Sequence, residues 1–235
     1  MRLGLATPPG DRSVWVKVCG VSQPEEIAVL AAQGVHFGGL CVGLSGRAYD
    51  LSVDRAAELA ALFPPSVRSI LVTTDRDPDK VLEMIARIRP AGVQLAGWMS
   101  GPRIREVRDS VDPRLILLPV VHVSRDALMA PTLFPQILEA DIDGISFDAS
   151  SARGATDSTD TGLGERILPT LADLAQGLPF FVAGGIGVDT VAHTLARSGA
   201  AGIDVCSAVR GARGIEASRV QGLMDAVKGI SWRRV

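Results

Sequence analysis

The segment VWVKVCGVSQPEEIAVLAAQG, residues 14–34, contains the structural unit from which the fold can be predicted. Its first residues, 14–18, alternate valine with other side chains, which predicts a short β-strand. Pro24, followed by two glutamates, is typical of a helix start, and Gly34 is typical of a helix end. The segment therefore predicts a strand that ends at Cys19, turns sharply and continues into an α-helix.

The same strand–helix unit recurs along the chain. Further apolar strands are predicted over 35–42, 67–74, 92–97, 114–123, 143–148, 179–185 and 200–208. The helices predicted to follow the strands cover 24–34, 52–63, 77–88, 101–110, 124–139, 164–177, 187–199 and 214–228. Eight such units indicate a parallel sheet covered by helices, which closes most economically as a single (β/α)₈ TIM barrel. An open doubly wound sheet is the alternative, but no G-x-G-x-x-G loop follows the first strand.

Length and composition fit one barrel domain. The 235 residues, of which 47% are hydrophobic, predict a barrel over 14–235 after a flexible lead-in over 1–13. A net charge of -2 without a basic stripe argues against nucleic acid as a partner. The absence of an apolar run of about 18 residues argues against a membrane span. Three widely spaced cysteines form no disulfide framework, so we expect a cytoplasmic protein. Both a monomer and a homodimer would suit this chain.

The chemistry of such a barrel lies at the C-terminal ends of its strands. The loops after the last two strands usually bind phosphate, and here they contain Gly184, Gly185 and Ser207. Glycine lets the backbone approach a ligand closely and present its N–H groups. These residues are therefore predicted to bind a phosphate, although the two glycines are also compatible with a simple tight turn.

Two further strand ends carry groups that suit acid–base chemistry. A thiolate at Cys19 can act as a general base, although a free cysteine is more commonly a packing residue. A carboxyl at Asp148, which ends an apolar strand, would have a raised pKa and suit proton donation. The alternative role of Asp148 is to anchor the polar segment 149–163, which is itself either a lid or an insertion. A base and an acid facing each other across the barrel mouth fit proton transfer on a sugar phosphate.

A third set of strand ends supports a different class of function. Cys19, Cys41 and Cys206 end strands 1, 2 and 8, which are neighbours around a barrel. Three thiols at one mouth are compatible with a zinc, copper or redox-sensing site. No C-x-x-C motif is present, so our main interpretation contains no metal.

Several motifs together resemble the phosphoribosylanthranilate isomerase family. They are VKVCGVSQPEEIAVLAAQGVHFGGL (16–40), SGRAYDLS (45–52), VQLAG (93–97), GISFD (144–148), AGGI (183–186) and IDVCSAV (203–209), in the family's order. The resemblance implies a (β/α)₈ barrel that catalyses an Amadori rearrangement in tryptophan biosynthesis. The reaction converts N-(5-phosphoribosyl)anthranilate to its 1-deoxyribulose form. Such an enzyme is an aldose–ketose type intramolecular oxidoreductase, and the resemblance implies no cofactor and no metal.

The resemblance also implies roles for individual residues. Cys19 would take the C2 proton of the sugar, and Asp148 would protonate the ring oxygen. Arg47 would hold the anthranilate carboxylate, Gln94 would contact the substrate, and Asp204 would contact the sugar hydroxyls. Backbone N–H groups would hold the phosphate at Gly184, Gly185, Ser207 and Ala208.

The sequence also departs from the family pattern. Ala96 replaces a histidine, Pro119 replaces a lysine, and Cys206, Ala208 and Arg210 alter the last motif. His122 is a candidate to replace the missing histidine, and Arg210 is a candidate to add charge at the phosphate. Because Cys19 and Asp148 are retained, a paralogue that isomerises another phosphorylated aminosugar remains an alternative. A non-catalytic phosphosugar-binding barrel and the thiol or metal-binding barrel remain alternatives as well.

Overall fold

The chain folds into a closed barrel of parallel strands. The computed structural model describes residues 5, 14–124, 127–128, 131–132, 134–149, 166–228 and 230. The barrel strands are β1 (Trp15–Cys19), β2 (Phe37–Val42), β3 (Arg68–Thr73), β4 (Gly92–Leu95), β5 (Ile116–Ser124), β6 (Ile145–Asp148), β7 (Phe180–Ala183) and β8 (Gly202–Val205). Strand β1 pairs in parallel with both β2 and β8, which closes the ring. The predicted TIM barrel is therefore confirmed, and the open doubly wound alternative is wrong.

A helix follows each strand and covers the outside of the barrel. The helices are α1 (Pro24–Ala32), α2 (Val53–Ala60), α3 (Pro78–Ile88), α4 (Gly101–Asp109), α5 (Phe134–Leu138), α6 (Leu171–Ala175), α7 (Val191–Ser198) and α8 (Ala217–Val227). Local sequence explains where several of them begin. Ser52 caps α2 by accepting a hydrogen bond from the backbone of Arg55 at 3.1 Å, and Pro24 occupies the first turn of α1.

Within the described residues, each helix is shorter than predicted, and three of them differ in how they begin or end. In the described part of 124–139, only α5 is helical, and the described part of 164–177 holds a 3₁₀ turn (Leu168–Thr170) followed by α6. Helix α8 begins later than predicted because Gly214–Ile215 pairs in antiparallel fashion with Arg210–Gly211. The segment 150–165, which contains most of the predicted lid or insertion, lies outside the described residues.

Large aromatic side chains fill the N-terminal end of the barrel. Trp15, Phe37 and Phe181 are buried there, with ring centroids 5.2 Å apart for the first pair and 5.8 Å apart for the second. Gly202 makes room for them, since a Cβ at this position would lie 2.6 Å from the Phe181 ring. Of the predicted lead-in 1–13, only Leu5 is described, and it is buried in the same cluster. No helix in the described part of the chain is long and apolar enough to cross a membrane.

Candidate active site

A cavity of about 400 Å³ opens at the C-terminal ends of the strands. It is lined by eight of the nine residues predicted for the site, namely Cys19, Arg47, Gln94, Asp148, Gly184, Gly185, Asp204 and Ser207. The ninth, Ala208, belongs to the one-turn 3₁₀ helix Ser207–Val209 at the edge of the cavity. The fold thus brings the predicted residues from six strand ends and their loops to one place.

The backbone around Gly20 explains the sharp turn after Cys19. Gly20 has a φ of 84°, a left-handed conformation that a side chain disfavours. The backbone N–H groups of Gly20 and Val21 both donate to the carbonyl of Gly39 on β2, at 3.0 and 2.8 Å. Strand β1 can therefore end with the Cys19 thiol at the cavity while the chain leaves at once toward α1.

The start of α1 is tied to the loop that follows β8. The carboxylate of Glu26 is buried and accepts hydrogen bonds from the backbone N–H groups of Ser22, Gln23 and Ile215, at 2.6, 3.0 and 2.8 Å. The bonds to Ser22 and Gln23 satisfy backbone donors just before the first helical turn, as in a capping box. The bond to Ile215 joins the first and last strand–helix units, next to the place where the barrel closes.

Beneath Cys19, a buried ion pair crosses the barrel interior. The Lys17 ammonium donates to both oxygens of Asp204, at 2.9 and 2.8 Å. Gln94 also donates to Asp204, at 3.1 Å, so β1, β4 and β8 are linked. Burial alone would lower the pKa of Lys17, but Asp204 together with the neighbouring thiols Cys19 and Cys41 outweighs this effect, and the pKa is raised. Lys17 is therefore charged, and its charge lies on the same face of β1 as the Cys19 thiol.

Cys19 has a second thiol as a neighbour. The Sγ atoms of Cys19 and Cys41 lie 3.6 Å apart, and both cysteines are free. The hydrogen bond with Cys41 lowers the pKa of Cys19 against the opposing effect of burial, and Lys17 lowers it further. The same hydrogen bond and burial raise the pKa of Cys41 well above its usual value. These opposite pKa directions favour the thiolate at Cys19 over the thiolate at Cys41. Cys19 is also the half-buried thiol at the cavity wall.

Asp148 lies across the mouth from Cys19. It ends β6, where its register partners are His122 on β5 and Ala183 on β7, and it is half-buried. The backbone N–H of Ala149 donates to the Ala183 carbonyl at 3.1 Å and holds this strand end in place. The carboxyl group therefore faces the same cavity as the thiol, as the acid–base hypothesis requires.

The ends of β7 and β8 form the glycine-rich side of the cavity. Gly184 and Gly185 both have positive φ angles, 95° and 66°, so a side chain at either position would be strained. Ser207 lies opposite them on the next loop, and its side chain is exposed. This side of the mouth has the position and the backbone that the phosphate prediction needs.

Sequence comparison identifies the family. A protein of Rhodopseudomonas palustris (strain BisA53) named N-(5'-phosphoribosyl)anthranilate isomerase is 32% identical over 206 residues, which cover 86% of this chain and 89% of that protein. A protein of Paramagnetospirillum magneticum with the same name is 30% identical and covers 92% of this chain and 98% of its own. The chain belongs to the phosphoribosylanthranilate isomerase family. No protein-family model matches it.

Solved structures support the fold. Phosphoribosyl anthranilate isomerase from Thermotoga maritima has a TM-score of 0.75 at 20% identity, covering 92% of this chain and 100% of that chain. A phosphoribosyl anthranilate isomerase in complex with reduced 1-(o-carboxyphenylamino)-1-deoxyribulose 5-phosphate has a TM-score of 0.72, also at 20% identity, with the same coverage. Most of the chain therefore has the barrel architecture of the isomerase structures.

Ala96, which stands where the family pattern has a histidine, lies next to another histidine, His122. His122 Nε2 lies 3.1 Å from the carbonyl oxygen of Ala96, and the His122 ring packs against Trp98 with centroids 5.1 Å apart. Ala96 lines the cavity, whereas His122 is not among the described residues that line it. The structure therefore shows that His122 lies close to the position of the missing histidine, but not that it lines the cavity.

Two arginines border the cavity in different ways. Arg47 is exposed in the loop after β2. Arg210 stacks on Tyr49, with its guanidinium carbon 4.7 Å from the ring centroid, and it donates a hydrogen bond to the Gly20 carbonyl. It also lies 3.6 Å from Glu26, so its charge is on the β1–β2 side of the mouth.

Sequence reasoning missed Lys17 and Tyr49 as parts of this site. Lys17 was detectable, because a lysine two residues before Cys19 in an apolar strand points to the same face and needs an acidic partner. Tyr49 gave no comparable signal. Within the described ranges, no group of three or more His, Cys, Asp or Glu side chains is placed to hold a metal ion, so the zinc alternative gains no support.

Proposed function

We propose that this chain catalyses the Amadori rearrangement of N-(5-phosphoribosyl)anthranilate in tryptophan biosynthesis, with Cys19 as general base and Asp148 as general acid. One observation carries the assignment: a single cavity contains the Cys19 thiol, the Asp148 carboxyl and the glycine-rich ends of β7 and β8. The family's curated members bear the name of this activity. The chain accordingly acts as an aldose–ketose type isomerase.

The two groups divide the proton transfers. Asp148 gives a proton to the ring oxygen of the ribose, the C1–O bond breaks, and the open chain is left as a protonated Schiff base. The Cys19 thiolate then removes the proton from C2, and the electron pair moves to form an enolamine. Tautomerisation of the enolamine gives the aminoketose. General acid and base groups contribute about 10²–10⁴-fold each to such steps.

The remaining residues orient the substrate. The backbone N–H groups at Gly184, Gly185, Ser207 and Ala208 hold the phosphate. Asp204 contacts the sugar hydroxyls and Gln94 contacts the substrate beside it, since the two side chains are already joined at 3.1 Å. Arg47, exposed at the rim, closes on the anthranilate carboxylate. Lys17, Asp204 and Gln94 are held together by hydrogen bonds below the sugar. This fixed arrangement reduces the entropy lost in reaching the reactive geometry.

A paralogue with a different amine substituent is the second candidate. Ala96, Ala208 and Arg210 differ from the family pattern, and Ala96 and Arg210 both line the cavity where a substituent would lie. The two candidates share Cys19, Asp148 and the glycine-rich ends of β7 and β8, and differ in the substituent that would contact Ala96 and Arg210. We further propose a cytoplasmic location and a monomeric or homodimeric state. A crystal structure of a relative describes monomers generated from a dimeric isomerase of Thermotoga maritima.

The test is a steady-state assay of the purified protein with freshly generated phosphoribosylanthranilate. We expect measurable turnover that falls on the order of a thousandfold in Cys19→Ala and in Asp148→Asn. Asp54→Asn, which removes an exposed carboxylate of α2, is the matched control and should retain full turnover. If the folded protein binds inorganic phosphate but converts no phosphoribosylanthranilate, the paralogue is the better candidate.

A further inference from the structure

The second thiol, Cys41, is placed behind the first. Cys19 on β1 pairs in register with Gly39 on β2, so Cys41 lies two residues further along the same face of β2. A Cβ at Gly39 would lie 3.1 Å from the Cys19 sulfur, so the glycine leaves the space in which the two thiols approach to 3.6 Å. Cys41 is fully buried, whereas Cys19 borders the cavity.

We propose that Cys41 is a positioning residue for the general base: its thiol donates a hydrogen bond to the Cys19 thiolate, which fixes the sulfur and increases the ionised fraction of Cys19 at neutral pH. This inference rests on the proposed function only in that it takes Cys19 to be the base. A thiol is a weak donor to a neutral acceptor but a better one to an anion. A hydrogen bond to the charged form of an acid favours that form.

The other charged and titratable groups near Cys19 are Lys17 on its own strand and Asp204 on β8. Tyr49 in the loop after β2, with Cys206 and Arg210 after β8, lies at the rim, and Asp148 and Arg47 line the same cavity further away. Lys17 favours the thiolate and Asp204 opposes it, and these two form one ion pair, so their effects partly cancel. The hydrogen bond with Cys41 makes the largest contribution to the lowered pKa of Cys19, against the opposing effect of burial.

The groups at the rim do not supply an alternative. Burial, with a smaller contribution from the charge of Cys19, raises the pKa of Cys206 to about 11, so this thiol stays neutral near pH 7. Burial also raises the pKa of Tyr49, which stays neutral too. Arg210 donates to the Gly20 carbonyl and lies near Glu26. Among these neighbours, Cys41 is the one whose thiol lies 3.6 Å from the Cys19 sulfur and can donate a hydrogen bond to it.

The experiment measures Cys19 directly. The rate at which iodoacetamide alkylates Cys19 is followed by mass spectrometry of its peptide between pH 5 and 10, in the wild type and three variants. Cys41→Ala removes the hydrogen-bond donor, whereas Cys41→Ser keeps a donor on a side chain of similar size. Cys206→Ala removes the thiol that lines the cavity together with Cys19. We expect Cys41→Ala to raise the pH midpoint by about one unit, which is roughly a tenfold loss of alkylation rate at pH values well below the midpoint. Cys41→Ser and Cys206→Ala should keep the wild-type midpoint.

The acidic limb of the kcat/KM profile should move by the same amount in Cys41→Ala. An unchanged alkylation midpoint in Cys41→Ala overturns the inference, as does an equal shift in Cys41→Ser, which would indicate loss of packing instead of loss of a donor. If Cys41→Ala does not fold, Cys41→Val fills the space without a strong donor and carries the same expectation. Because alkylation needs no turnover, a shifted midpoint in a protein inactive on phosphoribosylanthranilate would reject the proposed function and retain this inference.

Discussion

The two ends of the barrel interior differ in what the same strands contribute. At the N-terminal end, Trp15, Phe37 and Phe181 pack edge to face or tilted, and Arg68 lies over Phe37 with its guanidinium carbon 4.4 Å from the ring centroid. At the C-terminal end, the interior holds an ion pair and a cavity of about 400 Å³. Burial of aromatic rings stabilises the fold, whereas buried charges cost desolvation energy unless they are paired. The comparison indicates that the aromatic end supplies stability, and under the proposed function the polar end supplies the groups for chemistry.

The largest expected effect comes from breaking the ion pair at the polar end. Lys17→Met leaves the Asp204 carboxylate buried without its cation, which should reduce the free energy of unfolding by about 3–5 kcal/mol. Urea unfolding measures this change. Turnover should fall as well, because Asp204 would no longer be held in place below the sugar by Lys17.

A double variant separates the two losses. Lys17→Met combined with Asp204→Leu replaces the ion pair with apolar groups and should recover most of the lost stability. Turnover should stay low, since Asp204 is proposed to contact the sugar. Full recovery of both stability and turnover would show that the ion pair serves the fold alone, contrary to the division between the two ends.

A smaller effect is expected at the aromatic end. Phe181→Leu removes ring contacts with Phe37 and leaves a small cavity, which should lower the free energy of unfolding by about 1–2 kcal/mol. The values of kcat and KM should not change, because Phe181 lies below the ion pair and away from the cavity. A matched reduction in kcat would contradict the separation of stability from chemistry.

The sequence predicted the barrel better than it predicted the details of its site. Apolar strands and amphipathic helices repeat with regular spacing, so closure and strand ends followed from local pattern, as at Cys19 and Asp148. The ends of α5 and α8 did not follow, because the start of α8 depends on a pairing between Arg210–Gly211 and Gly214–Ile215. The thiol pair depends equally on register, since Cys41 approaches Cys19 only across Gly39.

The smallest expected effect tests the aromatic end by pH. The ring of His36 packs against Trp15, and its Nδ1 accepts a hydrogen bond from the Val16 backbone N–H at 3.0 Å, which requires a neutral ring. Burial, with repulsion from Arg68, lowers the pKa of His36 to about 4, compared with about 6.5 in an unfolded chain. Between these two pH values the unfolded state binds more protons, so stability should fall as the pH is lowered from 6.5 toward 4.

Urea unfolding at pH 7.5 and pH 5 measures this loss in the wild type and in His36→Gln. The variant has no imidazole at position 36, so its stability should depend less on pH over this interval, even if it is lower at both values. Equal acid sensitivity in His36→Gln and the wild type would show that the loss of stability at low pH does not arise from His36. Carboxylates at the polar end would then be the better explanation.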